Sequence, residues 1–171
     1  GSKNSQARFT HVSSTIKAPD FSATLFDYAE VEFLLAEAAA RGIAVGTPDT
    51  HYTNAIIASM EDWQVANSDI ALYLAQPAVA YATATGTWQE KIGKQAWYAL
   101  FNRGFEGWTS TRRLNFPALT APANADPASG GQIPSRMSYP IREQTLNPTN
   151  YNAASTAIGG DKLSTKIFWD I

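Results

Sequence analysis

Apolar residues recur at helical spacing in four stretches of the chain, and proline, glycine and small polar residues interrupt the period between them. The strongest stretch, YAEVEFLLAEAAARG, covers residues 28–42. Tyr28, Leu35 and Ala39 share one side of the predicted helix while Phe33 and Leu34 lie on another, so the spacing predicts a helix apolar nearly all round and buried between neighbours. Thr24 and Asp27 stand at capping-box spacing, with Asp in place of the usual Glu, and Gly42 stands where a left-handed carboxy-terminal cap belongs. A second helix is predicted over about residues 50–65, behind Thr47-Pro48, with Tyr52, Ile56 and Trp63 in register. Two such neighbours make a helix hairpin. A third helix is predicted over residues 68–75, stopping near Pro77, and a fourth over residues 89–102, where Ile92, Ala96, Ala99 and Leu100 repeat and Gly104 ends the period.

The remaining segments are irregular. Residues 1–23 are polar, punctuated by Pro19-Asp20, and read as an extended lead-in whose Gly1-Ser2 start has the look of a trimmed end. Residues 117–134 carry too many prolines, glycines and small polar residues for a regular element and read as a long surface loop. From Ile133 onward, Pro134, Pro140 and Pro148 forbid long helices, so coil with short helical turns is expected to wrap the helices. The fold class is mainly α, with packed helices covered by long loops and coil. Residues 70–89 contain no charged side chain and match a bilayer span of ~20 residues. Gln76-Pro77 and the Thr83, Thr85, Gly86, Thr87 group interrupt them, which predicts a packed helix followed by a loop instead.

Composition narrows the function classes. The 171 residues are 44% hydrophobic, enough for one domain core. A formal net charge of -2 without any Lys/Arg run gives no field to draw in nucleic acid. The absence of cysteine excludes disulfides, thiol nucleophiles and cysteine metal sites. His11 and His51 show no zinc-binding spacing and read as ordinary surface residues. Gly93-Lys94 lacks the glycine framework of a phosphate loop, and no G-x-S-x-G turn occurs. Glu30 and Glu37, seven residues apart, fall on nearly one helix face; Glu37 stands four residues before Arg41, and the helix ion pair is preferred to an acid/base role. No catalytic residue is predicted. Trp108 and Arg112 are related by i, i+4, so the indole can cover the arginine stem, while Glu106 or Glu37 can neutralise a guanidinium of Arg112 or Arg113; that packing role is preferred to an anion site.

Five segments occur in an order that carries a resemblance: YAEVEFLLAEAAARG, EKIGKQAWYALFNRG (residues 90–104), FEGWTSTRRLNFP (105–117), IPSRMSYPIREQTLNPTNYN (133–152) and the closing TKIFWDI. From residues 24–171 the chain resembles the carboxy-terminal portion of the SusD/RagB family of nutrient-binding outer-membrane lipoproteins. Arg136, Tyr139, Pro140, Glu143 and Asn147 fit the family's P-x-R…YP…E…N pattern. Leu114-Asn115 replaces a common Thr-Gly, Ala96 stands where lysine often follows Gln95, and Phe168 precedes Trp169 where an aromatic pair is usual. The resemblance implies a SusD-like α-helical fold whose helical-repeat half lies outside this chain. It implies a surface-exposed protein held in the outer membrane only by an upstream lipid-carrying cysteine. It further implies non-catalytic capture of a nutrient, glycan by preference, without a cofactor, and delivery to a SusC-like TonB-dependent transporter. Glu37, Trp108, Arg112, Arg113, Arg136, Tyr139, Pro140, Glu143, Asn147 and Trp169 are then structural residues.

Sugar capture needs flat aromatic platforms beside hydrogen-bonding groups. Trp88, just after Thr85-Gly86-Thr87 at a loop-helix junction, is the first candidate, and Tyr81 in the same uncharged segment is the second. The rival readings are a helical-repeat interaction scaffold without a small-molecule site and a glycoside hydrolase.

Overall fold

The computed structural model describes residues 11–170; the reading of Gly1-Ser2, the first ten residues of the lead-in and Ile171 lie outside them. Among the described residues there are seven α-helices, one short 3-10 turn at Pro127–Ser129, and no strand. The helices are α1 Tyr28–Ala40, α2 Pro48–Asp62, α3 Asn67–Leu74, α4 Trp88–Ala99, α5 Gly104–Leu114, α6 Ile141–Leu146 and α7 Pro148–Ala157.

Helix α1 starts one cap later than the sequence suggests. Asp27 is itself the N-cap, its carboxylate accepting from the Glu30 N–H at 2.7 Å. At the other end Gly42, at φ +88°, donates to the Ala39 carbonyl and Ile43 donates to Ala38, the paired reverse bonds that satisfy the last turn. The buried stripe is Ala29, Glu32, Phe33, Ala36 and Glu37, while Tyr28 and Leu34 are exposed, so the helix is not buried all round. Of the two carboxylates on that stripe, Glu37 keeps the Arg41 partner that the spacing predicts, while Glu32 meets His51, which periodicity cannot see; the two displace apolar residues that the pattern had placed inward.

Helix α2 runs back along α1 to form the hairpin. Thr47 caps it, accepting from the Thr50 N–H at 3.2 Å, and Pro48 occupies its first turn, where a missing N–H costs nothing. The core consists of Phe33 and Ala36 from α1, Tyr52, Ala55 and Ile56 from α2, Ile92 and Ala96 from α4, Leu114 from α5, and Val79. Tyr52 is buried with its hydroxyl donating to the Val79 carbonyl at 2.8 Å, so the core contains no orphaned phenol there. Helix α3 ends ahead of Pro77, and residues 78–87 form turns and coil. Among the described residues no helix is long and apolar enough to cross a membrane.

Helix α4 begins with a complete capping box: Thr87 accepts from the Glu90 N–H at 3.3 Å and the Glu90 carboxylate accepts from the Thr87 N–H at 2.6 Å. It stops at Ala99, three residues short of the sequence estimate, because Asn102 turns left-handed at φ +66°. Gly104 does not only follow that end; it opens α5, an eleven-residue helix. Two prolines also act differently from expectation. Pro140 precedes α6, and Pro148 opens the ten-residue α7, since a first-turn proline needs no N–H acceptor and presets φ. Against α4, the chain at Phe116-Pro117 passes so close that a Cβ on Gly93 would lie 2.7 Å from the Phe116 carbonyl oxygen; that peptide bond is cis.

Candidate ligand-binding site

Trp88 is the first residue of α4, half-buried, packed on the hydrophobic core, with the Arg41 guanidinium 5.1 Å from its ring centre. Tyr81 is also half-buried on that core, edge-on to Tyr52 with 5.1 Å between ring centres. The Lys91 ammonium lies 5.0 Å above its ring and donates to the Tyr81 carbonyl at 2.8 Å. Burial, and behind it the Asp49 charge, raises the Tyr81 phenol pKa. The structure thus brings both sequence candidates to one core cluster, each with a protein cation over its ring.

Beside them opens a groove of about 630 Å³ between α4, residues 84–86 and residues 116–119. Its aromatic wall is Trp97, 37% exposed, and Tyr98, 53% exposed. Lys94 and Thr85 add polar groups, and Phe116-Pro117 forms the facing wall. The volume falls within the ~300–1,000 Å³ common for small-ligand sites. Glu90 is the only carboxylate among the described residues lining it, and that group is committed to the Thr87 cap. Sequence reading missed Trp97 and Tyr98. Helical register held the signal: Ile92, Gln95 and Ala96 form the buried stripe of α4, and positions 97 and 98 fall off it.

Elsewhere in the fold, ion pairs join elements distant in sequence. Glu37 is buried and accepts from Arg41 Nε at 3.0 Å with one oxygen and from Arg113 Nε at 2.9 Å with the other, tying α1 to α5. The Arg112 guanidinium lies between two indoles, 3.7 Å from the Trp108 ring and 4.9 Å from Trp169, and donates to the Ser135 carbonyl at 2.6 Å. Burial lowers the Arg112 pKa against the opposing pull of Asp170. Trp108 Nε1 donates to the Pro134 carbonyl at 2.6 Å, so α5 holds the loop after the 3-10 turn through two side chains.

Arg136 pairs with Asp161 at 2.5 Å, under the Tyr139 ring. Asp161 also accepts from the Tyr139 N–H at 3.1 Å and from the Tyr151 hydroxyl at 3.3 Å. Burial alone would raise the Asp161 carboxyl pKa; these donors outweigh it and hold the pKa below its ordinary value. Pro140 caps α6, while Asn147 ends α6 and leads into α7, its amide donating to Glu143 at 3.1 Å.

Two clusters escaped the sequence reading. Arg103 is buried and pairs with Asp27 at 2.8 Å and with Glu30, fastening the start of α1 to the α4–α5 junction. Nothing in local spacing reveals a pair 76 residues apart. His51 is not an ordinary surface residue: it is half-buried, Nδ1 lies 2.6 Å from the buried Glu32 carboxylate, and Nε2 lies 2.8 Å from the Val45 carbonyl. Both partners are acceptors, so both ring nitrogens are satisfied only in the imidazolium form. The Glu32 and Val45 bonds raise the His51 pKa against a smaller burial penalty. Among the described residues no group of three metal-ligating side chains occurs.

A family model described as "SusD-like_2: Starch-binding associating with outer membrane" matches residues 1–140. No curated protein matches the chain significantly. Among solved structures, a SusD-like protein of Bacteroidetes AC2a superposes with a TM-score of 0.77 at 32% identity, over 86% of this chain and 30% of that one. A protein described as chitin-binding gives 0.70 at 33% identity, over 85% and 33%. A chitin-binding SusD homologue from Flavobacterium johnsoniae gives 0.70 at 26%, over 86% and 36%. The chain therefore spans about a third of the length of these structures. With the family match and the all-helical architecture in agreement, this chain belongs to the SusD-like family of outer-membrane proteins.

Proposed function

We propose that the chain helps to hold a glycan at the cell surface, within a lipid-anchored outer-membrane protein that hands its ligand to a SusC-like TonB-dependent transporter without breaking a bond. Family membership supports glycan binding, and the description of two structural relatives as chitin-binding makes N-acetylglucosamine oligomers the first ligands to try. The observation that carries the reading in this chain is the α4 groove, where the exposed Trp97 and Tyr98 rings stand beside Lys94 and Thr85. Rings offer stacking surface to the apolar face of a pyranose, and the neighbouring ammonium and hydroxyl serve its oxygens. Trp88 and Tyr81 remain proposed ligand contacts, acting from the core side of the same region. Glycoside hydrolysis uses a pair of carboxyl groups flanking the scissile bond, and the single lining carboxylate of this groove is a helix cap.

Titration of the purified chain with N-acetylglucosamine tetramer and with maltotetraose tests the reading. Trp97→Ala should weaken binding about tenfold with an unchanged circular dichroism spectrum, and chromatography should return the oligosaccharide intact. Unchanged affinity in the variant would remove the groove from the binding site, and shortened products would end the non-catalytic reading. Delivery to the transporter is tested separately, by co-purifying the full-length protein with a β-barrel transporter from gently solubilised outer membranes.

A further inference from the structure

A second cavity, of about 570 Å³, lies where the carboxy-terminal ends of α2 and α4 meet the segment before α1. Trp63, 39% exposed, and Phe101, 54% exposed, meet there edge to face with 6.0 Å between ring centres and form an apolar corner. Immediately after each ring comes an amide residue in a left-handed conformation, Gln64 at φ +59° and Asn102 at φ +66°, and both line the cavity. Asp62 and Thr24 add a carboxylate and a hydroxyl to the rim, and among the described residues Asp62 makes no ion pair. The Arg103 guanidinium at the wall is already neutralised by Asp27 and Glu30.

The backbone at Gln64 is an anomaly of composition. Helix α2 closes with the Val65 N–H bonded to the Met60 carbonyl and the Gln64 N–H to Glu61, a geometry that favours glycine at the left-handed position. Glutamine stands there against its conformational preference, and non-glycine residues held left-handed gather at functional sites. The left-handed turns bring both residues to the cavity beside the rings.

We propose that this cavity is a second sugar-binding pocket, separate from the α4 groove, that takes one or two neutral pyranose units. Two rings at an angle cover apolar ring faces, two amides both donate and accept, and the Asp62 carboxylate accepts hydrogen bonds from hydroxyls while disfavouring anionic sugars. The inference rests on the glycan-binding reading but uses different residues, so the two can fail independently.

The test is site-resolved titration of the ¹⁵N-labelled chain with N,N′-diacetylchitobiose, maltose and a glucuronate-containing disaccharide, following the indole N–H resonances of Trp63 and Trp97. The Trp63 signal should move with either neutral sugar along its own saturation curve, and at least fivefold more weakly with the acidic one. Phe101→Ala and Gln64→Ala should weaken the Trp63 curve while leaving that of Trp97 unchanged. Gln64→Gly should raise the melting temperature by about 2–4 °C as the strain is relieved, yet weaken the same curve, which separates a binding loss from unfolding. A Trp63 signal unmoved by both neutral sugars, or one whose shift vanishes in Trp97→Ala, would overturn the second pocket. A Trp63 signal that moves while Trp97 stays still would keep the pocket and overturn the groove.

Discussion

His51 makes two bonds to acceptors, and their strength follows the proton on its ring. Its pKa is raised above 6.5 in the folded chain, so its contribution is complete below about pH 6.5 and is lost as pH rises through the folded value. Burial works against ionisation of Glu32, but bonds from Tyr28, His51 and Asn54 lower its pKa below 4.5. Its contribution is complete above about pH 4.5 and is lost as pH falls through the folded value. The pair therefore stabilises most between the two, near pH 5–6, and weakens on either side. His51→Gln should lower stability by about 2 kcal/mol at pH 5.5 and by less at pH 8.5, as measured by urea unfolding at the two values. Equal losses at both would show that the imidazole is neutral in the fold.

At the scale of elements, the capping box of α4 and the approach of Phe116 to Gly93 position the groove. Thr87→Ala should cost about 1 kcal/mol in a thermal melt, because it leaves the Glu90 N–H without its cap. Gly93→Ala pushes a Cβ against a backbone oxygen rather than a yielding side chain, so a cost of about 1–3 kcal/mol and weaker glycan binding are expected from a melt and a titration of the same variant. The first four helices were legible in the sequence because their apolar period is local. Helix α5 and the start of α7 were less so: Gly104 and Pro148 carry stop signals, and only the following structure makes them starts. The groove was harder still. Trp97 and Tyr98 differ from core aromatics solely in register, whereas Trp88 and Tyr81 had a loop context that suggested exposure although the core claims one side of each.

Across the whole molecule, a few arginines close the longest loops. Arg103 joins the start of α1 to the α4–α5 junction, and Arg113 joins α5 to the middle of α1. Arg103→Ala would strand two partly exposed carboxylates beside each other and should cost about 2 kcal/mol, with the loss growing smaller in high salt; denaturant unfolding at two ionic strengths reads it. Such pairs fix how the hairpin sits on its neighbours; the sequence offered Glu37 as one partner for Arg113, whereas nothing in it announced Arg103.

Arg112 has one further consequence, and it is optical. Two of the five tryptophans share its guanidinium, one from α5 and the other from the closing segment. Detachment of that segment would strip the cation from one indole and expose a face of the other at the same moment. Intrinsic emission of the chain thus contains a built-in gauge of whether its last residues are docked, without any dye or label.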